Sequence, residues 1–370
     1  MKDVDRLTTE RYGIPSLDLM ENAARAVAGV ITEKLGGSVR GKNVLVLCGK
    51  GNNGGDGAAI ARLLSEAGAT VSAELFGKVE ETRGDAKTNF DRLRDAQPSI
   101  LRCLDATRED ESLIREADLE SVDALVDAIF GTGLTREVGG VFKEQIRLIN
   151  AWKKRHGAPL VVSVDIPSGL RADSPEDNGE HVHADVTVTF TSPKAANVLP
   201  PASRSNGLLV VAPVGSPAQL IDEHKSQLLL TERSDASAWL KRAEFTDASY
   251  KNKRGHALII AGSRNYSGAA VLAGNAAIRS GVGLVTVATP EDSREGVIAR
   301  VSPEVMVRGI PQTAEGSAAE KAADEINDFL KNVDAVAVGS GLSSKEDDTK
   351  AFIRRIVGER RTPVVIDADG

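Results

Sequence analysis

A doubly wound, mostly parallel α/β sheet followed by a second α/β unit is the architecture this sequence predicts. Three observations carry the prediction. Short apolar runs alternate with amphipathic helical stretches. Several runs are apolar throughout, as in strands buried on both faces. Each such run ends in a turn rich in glycine or aspartate, where ligands of open α/β sheets bind. A chain of 370 residues exceeds one ordinary core and suggests two domains.

In chain order, Leu17, Met20, Ala24, Val27 and Ile31 recur at helical spacing over 16–35. Ser16 after Pro15 is the expected N-cap and Gly36-Gly37 the stop. A strand over 44–48 runs into a glycine-rich loop and a helix over about 57–67. Strand 70–75 and helices 85–97 and 109–117 follow. The apolar run 122–129 leads to a second glycine loop at 131–136 and a helix over 141–154. Strand 160–164 ends in Asp165-Ile166-Pro167-Ser168-Gly169, and strands 186–191 and 208–211 complete the first unit. Residues 1–215 are thus one expected domain, 216–250 a connector with an amphipathic stretch at 228–240, and 251–370 a second domain. There, strand 257–261, helix 269–280 and strands 284–288, 335–338 and 364–366 repeat the α/β pattern.

Hydrophobic content of 41%, charged content of 27% and a net charge of −7 describe a soluble globular chain. The acidic balance argues against nucleic-acid and membrane-surface partners. The N-terminus lacks a signal-like apolar segment, and no run is long enough to span a membrane. Cys48 and Cys103 read as buried thiols of a reducing compartment, so a cytoplasmic location is expected.

The segment Gly49-Lys50-Gly51-Asn52-Asn53-Gly54-Gly55-Asp56-Gly57 holds five glycines in nine positions. They are expected to supply tight turns, positive φ and close approach to a ligand. Free N–H groups at the following helix start suit a phosphate. The segment matches G-x-G-x-x-G, with Glu74 as the acidic residue of the second strand, but no Gly-Lys-Ser/Thr makes it a P-loop. Asp127 inside an apolar strand must be paired, hydrogen-bonded or metal-bound. Either it caps a neighbouring loop, or Asn53, Asp127 and Ser168 form an oxygen-only site for a hard cation. Asp165, at a strand end on a rigid turn, is placed for general acid/base work. Ser168 lacks a nucleophile-elbow context. His181 and His183 read as solvated.

The first 215 residues resemble the NAD(P)H-hydrate epimerases. The resemblance rests on Met20-Glu21-Asn22-Ala23, Gly51-Asn52-Asn53-Gly54-Gly55-Asp56-Gly57, Asp127-Ala128-Ile129-Phe130-Gly131-Thr132-Gly133-Leu134 and Val164-Asp165-Ile166-Pro167-Ser168-Gly169-Leu170. It implies a Rossmann-like fold and a hydrated NADH or NADPH substrate. That substrate would be held by Asn52, Asn53, Gly54, Gly55, Asp56, Gly131, Thr132, Gly133, Leu134, Thr135, Arg136, Glu137 and Asp165. It implies K+ on Asn53, Asp127 and Ser168.

The second unit is similar to the ribokinase-like NAD(P)H-hydrate dehydratases. The matching pieces are Gly255-His256, Ala261-Gly262-Ser263, Ser267-Gly268-Ala269-Ala270, the segment 276–290, Gly339-Ser340-Gly341-Leu342 and Val365-Ile366-Asp367-Ala368-Asp369. This implies Ala269 and Gly341 facing the hydrated substrate, with ADP or ATP and Mg2+ as cofactors. The family's phosphate loop and G-x-G-D motif are not found by Gly370, so the dehydratase is expected to be incomplete and inactive in this chain. A homo-oligomer is also expected. The rival readings are an NAD-dependent dehydrogenase and a non-catalytic nucleotide-binding module.

Overall fold

The structure is a computed structural model that describes residues 2–105, 121–155, 157–177, 179–223 and 228–370. The helix expected at 109–117 lies outside the described residues. The chain divides into two compact units, Met1–Leu230 and Thr231–Gly370.

In the first unit, helices α1 (Lys2–Tyr12) and α2 (Ser16–Lys34) precede strand β1 (Asn43–Cys48). Then come α3 (Asn52–Glu66), β2 (Thr70–Phe76), α4 (Gly84–Ala96), β3 (Leu101–Leu104) and β4 (Ala124–Ala128). The unit continues through α5 (Gly140–Lys153), β5 (Leu160–Val164), β6 (Val186–Phe190), α6 (Ala195–Val198), β7 (Leu208–Ala212) and α7 (Ala218–Glu223). The strands form one seven-stranded sheet in the order β3-β2-β1-β4-β5-β6-β7, and every pairing is parallel. β4 is buried along its whole length, because helices cover both faces of a doubly wound sheet. The strand order reverses between β1 and β4, which opens a crevice at their carboxyl ends.

Several local expectations are corrected. α3 begins at Asn52, five residues before the expected start, so most of the glycine-rich segment is helix. None of Gly49, Gly51, Gly54, Gly55 and Gly57 has positive φ. They are needed for close packing instead. A Cβ on Gly54 would lie 1.7 Å from the Gly49 carbonyl oxygen, and one on Gly57 2.7 Å from the Ala128 side chain. Pro15, not Ser16, occupies the N-cap of α2, and Ser16 is its first helical residue. β3 was not anticipated because it is a short edge strand whose Arg102 and Cys103 are exposed. Cys103 is therefore exposed, whereas Cys48 is buried and its thiol is pushed up by burial.

The second unit contains α8 (Arg233–Arg242), β8 (His256–Ile260), α9 (Ser267–Arg279), β9 (Leu284–Pro290), α10 (Glu291–Ile298) and β10 (Val305–Ile310). It ends with α11 (Ala323–Leu330), β11 (Ala335–Val338), α12 (Asp347–Glu359) and β12 (Val364–Ile366). Its sheet is parallel, in the order β10-β9-β8-β11-β12. Leu258, Ile260, Val336 and Val338 of the central strands share a core with Phe352 and Ile356 of α12. α8 has no buried residue. Among the described residues, no helix is long and apolar enough to cross a membrane.

Candidate active site

The carboxyl ends of β1, β4 and β5 are adjacent, and backbone contacts pin them together. Gly49 N–H donates to the Ala128 carbonyl at 3.0 Å, and a Cβ on Gly49 would lie 2.0 Å from the Ile129 carbonyl oxygen. Only glycine allows the two chains to approach so closely. α3 thus starts at the crevice, with its free N–H groups opening toward it. Asn53, in the first turn, lies against Gly131, where a Cβ would sit 3.1 Å from Asn53 Oδ1. Asn53 Nδ2 is buried with no hydrogen-bond partner among the described residues.

Asp127 is the last residue but one of β4 and is fully shielded. Its carboxylate accepts from Ser163 Oγ at 2.8 Å, Ser168 N at 2.8 Å, Ser168 Oγ at 2.5 Å and Ile129 N at 3.4 Å. Burial pushes the carboxyl up, and the bonds from Ser168, Ser163 and Ile129 oppose that. Ser168 Oγ also accepts from Phe130 N at 2.8 Å and lies 3.2 Å from the Phe130 carbonyl oxygen. Its single proton goes to Asp127, so that carbonyl keeps lone pairs facing the same spot.

Asp165 follows β5 with φ 67°, a left-handed conformation that costs a non-glycine residue about 1–3 kcal/mol. The surroundings fix it there. Its N–H donates to the Val188 carbonyl, and its own carbonyl accepts from Asn197 Nδ2 at 3.3 Å. The carboxylate accepts from Lys194 Nζ at 2.5 Å, Thr189 Oγ1 at 2.9 Å and Phe190 N at 3.4 Å. Lys194 is buried too, and it also donates to Thr189 Oγ1 and the Phe190 carbonyl. Asn197 Oδ1 caps Lys194 N at 2.8 Å, and Asn197 Nδ2 donates to Asn206 Oδ1 at 2.9 Å. A buried ion pair is therefore held at the strand ends by two asparagines.

Comparisons with known proteins place the chain in a family. Residues 16–196 match the profile of a family described as YjeF-related protein N-terminus. Residues 257–370 match one described as NAD(P)H-hydrate dehydratase. The bifunctional NAD(P)H-hydrate repair enzyme Nnr of Moorella thermoacetica is 37% identical over 376 residues, covering 100% of this chain and 67% of that protein. Its counterpart in Thermofilum pendens is 35% identical over 370 residues, with 100% and 67% covered. That of Salinibacter ruber is 36% identical over 386 residues, with 100% and 68% covered. The chain belongs to the bifunctional NAD(P)H-hydrate repair enzymes. It spans about two thirds of the length of these relatives.

In this family member the sequence-predicted residues divide by position. Asn52, Asn53, Gly54, Gly55 and Asp56 open α3, while 131–137 form the loop between β4 and α5. Asp127 and Ser168 are in direct contact, and Asn53 faces the same loop across Gly131. Glu74, the acidic residue expected for a dinucleotide ribose, lies within β2, and its two oxygens accept from Arg102 at 2.7 and 2.8 Å. His181 is buried rather than solvated, with Nε2 2.8 Å from Ser205 Oγ, and the His183 ring lies against it. Sequence reasoning missed Lys194. Its signal was weak: a lysine in a Ser-Pro-Lys-Ala-Ala stretch just after a buried strand.

In the second unit, a Cβ on Gly341 would lie 2.7 Å from the Ala269 Cβ, so these two predicted residues are neighbours. Ser263 Oγ donates to the Gly341 carbonyl at 2.9 Å, and Ser340 Oγ to Asp367 Oδ2 at 2.7 Å. The dehydratase match over 257–370 lends no support to the expected inactivity of this unit.

Proposed function

We propose that the first unit interconverts the R and S forms of hydrated NADH and NADPH, as one part of nicotinamide nucleotide repair. The hydrates carry a hydroxyl at C6 of the reduced ring. The reading rests above all on the buried Asp165–Lys194 pair at the end of β5, beside the helix start that suits a phosphate. Asp165 handles the proton as the hydroxyl leaves and as water returns to the planar ring cation. Lys194 and Thr189 aim its carboxylate, and the N–H groups of the α3 start together with the 131–137 loop hold phosphate and ribose. The dehydrogenase reading is disfavoured because Glu74 is engaged by Arg102.

The oxygen set near Ser168 suits a hard monovalent cation, and K+ is the proposed one. Asn53 Oδ1, the Phe130 carbonyl and Ser168 Oγ would hold it, with the Asp127 charge behind them. Among the described residues no cluster of three or more His, Cys, Asp or Glu side chains offers an alternative metal site. The ion would tie the 131 loop to α3. For the second unit we propose dehydration of the S hydrate with ADP or ATP and Mg2+, the substrate lying against Ala269 and Gly341.

An epimer-resolved chromatographic assay tests the first-unit reading. The wild type equilibrates the two hydrates, and Asp165→Asn slows this by about 100-fold or more. Equal rates for the two proteins would remove Asp165 from the mechanism.

A further inference from the structure

Three carboxyls lie at or after the ends of the adjacent strands β1, β4 and β5: Asp56, Asp127 and Asp165. Two of them are well supplied with donors, four for Asp127 and three for Asp165. Asp56 differs. It is only 9% exposed, and among the described residues its side chain has no hydrogen-bond donor. An ionised carboxylate in that position keeps only the little water it still reaches, with no protein donor to offset the hydration it has lost. The charged groups that act on it are Asp165 after β5, Asp5 of α1 and Lys194 before α6, two anions against one cation. Loss of hydration, then Asp165 and Asp5, hold the Asp56 carboxyl well above the usual carboxylate range, and Lys194 only partly offsets them. The Asp5 carboxyl is itself raised, chiefly by desolvation.

Topology sets Asp56 and Asp165 on two sides of one strand. Asp56 stands on the helix after β1, Asp165 on the turn after β5, and β4 pairs with both strands. Two carboxyls in contrasting surroundings, one lacking donors and one salt-bridged, are how enzymes separate an acid from a base. We propose that Asp56 is a second catalytic residue, the acid that protonates the departing C6 hydroxyl while the Asp165 carboxylate acts as base. The proposal rests on the epimerase reading above.

The step balances without any further reagent. The Asp56 proton passes to the hydroxyl oxygen, the C6–O bond breaks with its electron pair leaving on water, and the N1 lone pair forms the C6=N1 double bond of the ring cation. Water then adds to C6 from the other face and gives its proton to Asp165. Asp56 ends ionised and Asp165 protonated, the form that runs the reaction in the opposite direction. Proton exchange between the two carboxyls restores the starting state.

The test is Asp56→Asn in the full chain, which keeps the shape and removes the proton. Rates of hydrate interconversion are measured across pH, and binding of NADPH, which lacks the C6 hydroxyl, is measured separately. The expected result is a rate loss of about 100-fold or more, larger than any accompanying loss of NADPH affinity. The wild-type decline in rate toward alkaline pH should also vanish in the variant. Wild-type rate and an unchanged alkaline decline in Asp56→Asn would overturn the proposal and leave the epimerase reading standing. A wild type that does not interconvert the hydrates would overturn both. Carboxyl carbon NMR on aspartate-labelled wild type needs no variant to fold: absence of any protonated aspartic side chain at neutral pH would also overturn the proposal.

Discussion

Lys194 Nζ lies 2.5 Å from Asp165 Oδ1, with the two side chains 5% and 13% exposed. Breaking such a pair from one side leaves a buried charge without its partner, which costs about 3–5 kcal/mol. Lys194→Met should therefore lower stability in urea unfolding by about 3 kcal/mol. It should also reduce hydrate interconversion by about 100-fold or more, because the carboxylate loses its positioning. Combining it with Asp165→Asn should recover part of the lost stability. A double-mutant cycle with no coupling would show that the pair is not formed in solution.

The cation site can be read without any activity. Thermal unfolding of the wild type should shift upward with KCl relative to choline chloride at equal ionic strength. Asn53→Ala should abolish that shift. Without potassium the same variant should stay within about 1 kcal/mol of wild type, because it also removes an unpartnered buried amide nitrogen. A potassium shift that survives in Asn53→Ala would place the ion elsewhere.

The glycines of the opening segment separate by their surroundings. Gly54→Ala puts a Cβ 1.7 Å from the Gly49 carbonyl oxygen, a backbone atom that cannot move aside cheaply. It should destabilise by about 3 kcal/mol or more. Gly51→Ala meets nothing within 4 Å and loses only a favourable N-cap residue, so it should cost about 1 kcal/mol or less. Equal effects in denaturant titrations would contradict the packing role.

Asp56 should make stability depend on pH. Its carboxyl is raised above the ordinary 3.8, so between that value and the folded one the native state binds more protons than the unfolded state. Stability then falls as pH rises through this window. Asp56→Asn removes the loss, so its melting temperature should exceed the wild type's by a margin that widens as pH rises above 3.8 toward the raised folded value. A margin that is constant or shrinks over this range would contradict an Asp56 that stays protonated.

Much of the fold and part of the site were legible in the sequence. Runs such as Leu45–Cys48 and Val161–Val164 are apolar at every position except Ser163, which happens when both faces of a parallel strand are covered. Strand ends in such a sheet face one crevice, so Asp127, Ser168 and Asp165 could be assigned to it from the sequence. The start of α3 could not, because asparagine and glycine have poor helix propensity and packing against β1 and β4 overrides it. Edge strand β3 was hidden by its exposed Arg102 and Cys103.

The sequence by itself determined the doubly wound architecture, the order of the strands along the chain and the polar residues gathered at their ends. These follow from local hydrophobic patterning, which each segment carries alone. Only the tertiary structure decided that Lys194 meets Asp165, that Arg102 occupies Glu74, and that Asp56 stands without a donor between like charges. Those facts depend on which side chains are brought close across the sheet, and on how far water is excluded there. Neither is encoded in the spacing of residues along one element.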